Sequence, residues 1–257
     1  MSIDTLNRLR AGQLAGITRL DLSCGLTALP DEVFALADTL EVLNLSGNRL
    51  RELPHQLTRL HKLQVLFASD NDFEVLPEVL GDCPSLQMVG FKANRIADVP
   101  AAALPPALRW LTLTDNAIGR LPAELGQRPA LQKLMLAGNR LQALPDSLQQ
   151  AHRLELLRIS ANLLTEVPGW LTELPRLSWL ALASRSMLSR ANCIPLGSNV
   201  GQHQHHALGA GAQQRLDATR GLGALAKTLS MDLRADDPAW LQLKLDALAT
   251  VAEERSF

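Results

Sequence analysis

The chain has 257 residues, 47% of them hydrophobic, and a formal net charge of −1. That length and apolar content suffice for a sizeable core, while near-neutrality removes the electrostatic case for a nucleic-acid or anionic-membrane partner. Cys24, Cys83 and Cys193 are odd in number and lack C-x-x-C spacing, which argues against a disulfide frame or a zinc site and suits a reducing cytoplasm. Neither a basic leader with an apolar run nor a membrane-length apolar stretch stands out, so a soluble, unexported protein is expected.

Residues 1–16 carry Ile3, Leu6, Leu9 and Leu14 at roughly helical spacing, which predicts an N-terminal helical cap. From Ile17 a single frame recurs. Asparagines fall at Asn48, Asn71, Asn94, Asn116, Asn139 and Asn162, spaced 23, 23, 22, 23 and 23 residues. Each lies in the pattern Leu40-x-x-Leu43-x-Leu45-x-x-Asn48-x-Leu50, followed by Leu53-Pro54. A fixed period of this length marks a solenoid in which no unit can bury its own apolar face. Copies begin at Ile17, Leu40, Leu63, Leu86, Leu108, Leu131, Leu154 and Leu177, so the solenoid is expected over 17–188.

Within a copy, the L-x-L segment reads as a short strand whose leucines point inward and whose intervening residues point out. Parallel stacking then makes a concave sheet. The asparagine follows the strand, where peptide groups lose their ladder partners, and its amide supplies both a donor and an acceptor. Leu53-Pro54, Leu76-Pro77, Val99-Pro100, Leu121-Pro122, Leu144-Pro145 and Val167-Pro168 begin the convex return, because proline fixes φ and removes a donor. Apolar pairs such as Leu57 and Leu60 then have the spacing of a single helical turn.

Departures from the frame are expected at both ends. The first copy lacks its asparagine and has Cys24 near that place; the eighth has Arg185 there. In the fourth, Pro105-Pro106 is expected to replace the usual return and to shorten that copy to 22 residues. With the eighth copy lacking an evident polar cap, self-association through its open edge is expected.

Residues 189–257 have no repeat signal. Ser189 to Gly211 is rich in Gly, Gln and His and reads as linker; beyond it, Asp237 with Pro238 can start a helix lined by Leu241, Leu245, Leu248 and Ala252. The tail is therefore expected to be partly helical.

The L-P-x-x-L-x-x-L-x-x-L-x-x-L-x-L-x-x-N-x-L pattern resembles the short bacterial leucine-rich-repeat proteins over about 17–183. The resemblance implies an α/β solenoid, a leucine-rich-repeat horseshoe of about eight 22–23-residue repeats with a short parallel concave sheet and a non-repeat C-terminal tail. More narrowly, Leu14 to Leu22, Val89 to Arg95 and Ala102 to Leu111 resemble the repeat half of bacterial leucine-rich-repeat serine/threonine protein kinases. That resemblance implies a signalling role with the recognition half alone, since the chain carries no V-A-I-K, H-R-D or D-F-G segment. Residues from about 220 to 257, such as Leu222 to Met231 and Arg234 to Leu248, resemble a fragment of proteins related to the cobalamin-dependent ribonucleotide reductases. They include none of that family's catalytic cysteine pair or cobalamin-site motif, and no activity is carried over.

The concave face is the candidate binding site. Its outward strand positions include Val42, Val65, Met88, Trp110, Lys133, Leu156 and Trp179, and two residues on, Asn44, Phe67, Gly90, Thr112, Met135, Arg158 and Ala181. With parallel strands ~4.8 Å apart, the third to eighth copies present a strip of ~25 Å. Phe67, Met88, Trp110, Met135 and Trp179, with Lys92, Lys133 and Arg158 at the edges, match the make-up of protein-binding hot spots. The expected partner is a protein bound by a non-catalytic cytoplasmic scaffold; a competing reading is that these side chains simply pack across strands. His203, His205 and His206 lack carboxylate or cysteine partners at ligand spacing, so neither metal nor cofactor is expected. Acid–base catalysis has no support either, because pairs such as Asp31-Glu32 lack an apolar pocket to shift their pKa.

Overall fold

The computed structural model describes residues 2–181. Helix α1 (Ser2–Arg10) is followed by eight three-residue strands: β1 (Arg19–Asp21), β2 (Val42–Asn44), β3 (Val65–Phe67), β4 (Met88–Gly90), β5 (Trp110–Thr112), β6 (Lys133–Met135), β7 (Leu156–Arg158) and β8 (Trp179–Ala181). They form one parallel sheet in sequence order. The register is uniform: Val42 pairs with Val65, Met88 with Trp110, and Lys133 with Leu156, so equivalent positions form straight rows across the sheet. Uniform register follows from the repeat itself. A one-residue slip would turn the inward leucines Leu43, Leu66, Leu111, Leu134 and Leu157, all 0% exposed, toward water.

Each return is a 3-10 turn that starts directly after a proline: Pro30, Pro54, Pro77, Pro100, Pro122, Pro145 and Pro168. All seven prolines have φ between −60° and −72° with extended ψ, the geometry their ring imposes. Leu29-Pro30 in the first repeat thus does what the later Leu-Pro pairs do. Leu57, Leu80, Leu125 and Leu148 on these turns are wholly buried against the strand leucines and close the core from the convex side.

The fourth repeat corrects an expectation. Pro105-Pro106 does not replace the return: Pro100 still opens a 3-10 turn over Ala101–Ala103, and the two prolines end it early. Small residues let neighbouring turns approach closely here. A Cβ on Gly81 would collide with the carbonyl oxygen of Ala102, and one on Gly126 with that of Ser147.

At the amino end, Leu6 and Leu9 of α1 and the following Leu14 are buried in the first repeat's core, whereas Ile3 is 66% exposed and takes no part. The helix ends where Gly12, at φ +69°, reverses the chain; its N–H donates to the Leu9 carbonyl and that of Gln13 to Arg8. Deeper in, Phe73 and Phe91 occupy places that other repeats give to aliphatics. Their rings meet edge-to-face at 5.0 Å between centroids, so the two enlargements fill one another's space.

The predicted linker and helical tail of 189–257, the Arg185 position and the histidines at 203–206 lie outside the described residues.

Candidate functional site

The concave face is built on a polar spine beneath its rim. Asn71 donates through Nδ2 to the carbonyl of Leu45 in the repeat before it (2.9 Å) and to its own repeat's Ala68 (3.2 Å) and Ser69 (3.0 Å). Its Oδ1 accepts from the N–H of Leu50, again one repeat back, at 3.0 Å. Asn94, Asn116, Asn139 and Asn162 repeat the arrangement, each holding a backward pair: Ala68 and Phe73, Phe91 and Ile96, Leu113 and Ile118, Leu136 and Leu141. Every asparagine therefore fastens the repeat that precedes it. Asn48 does this for the first repeat, donating to the Leu22 carbonyl and accepting from the N–H groups of Cys24 and Leu26. The first repeat has only α1 behind it and can dispense with an asparagine.

The residue before each asparagine is left-handed. Gly47, Asp70, Ala93, Asp115, Gly138 and Ala161 have φ between +51° and +71°. Only two of the six are glycine, so sequence alone offered little sign of a shared turn. The turn brings the asparagine amide under the carbonyls it serves, and it sets the loops along one edge of the sheet.

The rows of outward side chains are less open than their sequence positions predict. Phe67, Lys92, Lys133, Arg158 and Trp179 are half-buried, with part of each side chain in solvent. Met88, Trp110 and Met135 are not: they are 2%, 6% and 9% exposed, and Val42 and Val65 are also buried. The expectation that Met88, Trp110 and Met135 offer an exposed apolar patch is thus overturned. The physical reason is visible at Trp110, whose ring lies in the row between Met88 and Lys133 and has the Lys133 ammonium 4.0 Å from its centroid. Strand spacing is too small for a large side chain to stand clear of its neighbours, so packing across strands prevails.

Between β3 and β5 the missing side chain of Gly90 leaves room that the Phe67 ring takes up. Gly90 pairs with Phe67, and the Phe67 ring lies where a Cβ on Gly90 would be, 2.6 Å from that position. Along the start of the strands, Arg109 donates to Gln132 at 2.9 Å and to Gln87 at 3.4 Å, tying three repeats side by side. At the amino end Arg19 holds Asp21 at 2.8 Å, and Asn44 donates to the same carboxylate at 3.0 Å. Burial pushes Asp21 upward, but the hydrogen bonds from Arg19 and Asn44 and the Arg19 charge outweigh it and hold the carboxyl below its ordinary range.

Among the described residues no group of three or more His, Cys, Asp or Glu is placed to hold a metal ion, and no helix is long and apolar enough to cross a membrane.

Comparison with known proteins agrees with this geometry. Residues 6–73 and 129–185 match the family model described as leucine rich repeat. Over 92 residues the chain is 33% identical to the PH domain leucine-rich repeat-containing protein phosphatase 1 of Homo sapiens, which covers 35% of this chain and 5% of that protein. It is also 33% identical over 92 residues to the leucine-rich repeat and calponin homology domain-containing protein 1 of Mus musculus, covering 36% of this chain and 13% of that protein. The chain thus matches only a small part of the length of these relatives. Among solved structures it is similar to the leucine-rich-repeat ectodomain of the Arabidopsis thaliana membrane receptor kinase GASSHO1/SCHENGEN3, in complex with CASPARIAN STRIP INTEGRITY FACTOR 2. That likeness has a TM-score of 0.57 at 32% identity and covers 68% of this chain and 22% of the other. An internalin of Listeria monocytogenes shares the fold at 21% identity and a TM-score of 0.52, over 63% of this chain and 44% of that one. With its asparagine spine and its single parallel sheet, the described part of the chain has the fold of a leucine-rich-repeat solenoid, and just under half of the chain matches that family.

Proposed function

We propose that this chain is a protein-interaction module that binds a polypeptide partner across its concave face and carries out no catalysis itself. The observation that supports this best is the set of side chains in the two outward rows that stay open, Lys133 and Trp179 in one and Phe67 and Arg158 in the other. These side chains stand half in solvent on one rigid sheet, and among the described residues the 3-10 turns that close the core are all on its other side. Such mixed apolar and cationic side chains on a preformed surface give affinity without a folding cost in the receptor. The plant receptor ectodomain of similar fold is itself in complex with another protein.

A cytoplasmic scaffold or signalling role, and the recognition half of a kinase, rest on sequence motifs alone. The relatives place such repeats beside a phosphatase in one case and a calponin homology domain in another, so the repeats do not single out a kinase.

Trp110 is the wrong probe for this reading. Truncating so buried a ring would cost ~3–5 kcal/mol of stability and confuse binding with unfolding. The test is capture of partners by the full tagged chain, followed by titration of a captured partner against Arg158→Glu and Thr112→Trp on the concave sheet and Arg59→Glu on the exposed convex turn. The two concave variants are expected to weaken binding at least tenfold with an unchanged melting temperature. Equal loss in the convex variant, or none in the concave pair, rejects the concave site.

A further inference from the structure

The two ends of the concave face differ in charge. Over the first three repeats its charged residues are Arg19, already paired with Asp21, and the carboxylates of Glu41 and Asp70. Over the fourth to seventh repeats the balance reverses: Lys92, Arg109, Lys133 and Arg158 stand against Asp115 and Glu155. The face is thus weakly negative toward its amino end and positive toward its carboxyl end, although the whole chain is near neutral. Two of the cations are held by neighbours on the sheet: Lys133 by Trp110 and Arg109 by Gln87 and Gln132.

Resting on the concave-face reading above, we infer that the partner segment is an extended acidic peptide whose carboxylates lie over repeats four to seven. The spacing sharpens this. Lys133 starts β6 and Arg158 ends the neighbouring β7, so the two are one strand apart and two residues along. With strands ~4.8 Å apart and a rise of ~3.3 Å per residue, their Cα atoms are separated by ~8 Å. Alternate residues of an extended peptide project to the same side ~6.6–7 Å apart, so an acid-x-acid pair matches the spacing of these two backbone positions, and the long Lys133 and Arg158 side chains supply the remaining reach. A basic peptide is disfavoured by the same four cations, since like charges brought together on a partly desolvated surface repel.

The test pans a display library of random decapeptides on the full chain and measures affinities of the enriched peptides by fluorescence anisotropy. Acid-x-acid sequences are expected, with a loss of at least tenfold when both carboxylates become amides. Lys133→Glu combined with Arg158→Glu is expected to give a similar loss, and the binding constant should fall as salt rises. Enriched peptides that are neutral or basic, yet lose binding in Thr112→Trp, overturn the acidic inference and leave the concave reading standing. Peptides indifferent to Thr112→Trp overturn both. A failure to enrich any sequence, or equal binding of a single-stranded oligodeoxynucleotide of matched charge, also overturns the inference, the latter because any polyanion would then serve.

Discussion

The ring of Phe67 covers the α-carbon of Gly90 on the adjacent strand, in the space any side chain at residue 90 would need. The two positions therefore depend on one another. Gly90→Ala forces the ring to swing away and is expected to cost ~1–3 kcal/mol, the range for overpacking. In a Phe67→Ala background the same substitution should be nearly neutral. Urea melts of the two single variants and the double variant measure the coupling; additive losses would mean that the ring moves aside freely.

The asparagine spine predicts graded losses. Asn139 is buried and Asn116 only half-buried, although both make the same backward bonds. Asn139→Ala strands Leu113, Leu136 and Ile118 backbone groups away from water, at ~1–3 kcal/mol for each group left unmet. Water can reach the corresponding groups around Asn116 more easily, so Asn116→Ala should shift the urea midpoint less. The reverse order would show that burial does not set the cost.

Two alanines sit where glycine fits better. Ala93 and Ala161 hold φ at +51° and +54°, which costs an L-residue roughly 1–2 kcal/mol. Glycine avoids that strain and gives back about 0.5–1 kcal/mol through the freer unfolded chain. Strain wins by a small margin, so Ala93→Gly and Ala161→Gly are each expected to raise stability by up to ~1 kcal/mol. Gly47→Ala should do the opposite, because its φ is +71° and the new methyl would meet the Ser23 hydroxyl at 2.7 Å. Calorimetric melting temperatures decide the signs.

Cys83 makes stability depend on alkaline pH. Burial, with a smaller contribution from the Asp82 carboxylate, pushes its thiol up to about 11 from 9.0. The folded state favours the neutral thiol, so this stabilisation is complete below pH 9 and is lost as pH rises toward 11, where the unfolded chain ionises first. The chain has no tyrosine to titrate in that window. Denaturation midpoints taken from pH 8.5 to 10.5 should fall more steeply for the wild type than for Cys83→Ala. Parallel curves would refute the linkage.

Much of this architecture could be read from the sequence, for a physical reason. The asparagines and leucines recur because each repeat solves the same burial problem against an identical neighbour, so spacing alone gives the strand order, the parallel sheet and the proline-led returns. What spacing could not give was how neighbouring outward side chains share space. Met88, Trp110 and Met135 look like surface residues by position, and they are buried because strands ~4.8 Å apart press large side chains together. The left-handed turn before each asparagine was equally hidden, since Ala93 and Ala161 adopt it without being glycine. The sequence alone determined the period, and with it the scaffold. Tertiary contact decided which concave side chains remain available to a partner, because that depends on the size of the residue 22 or 23 positions away and not on the residue itself.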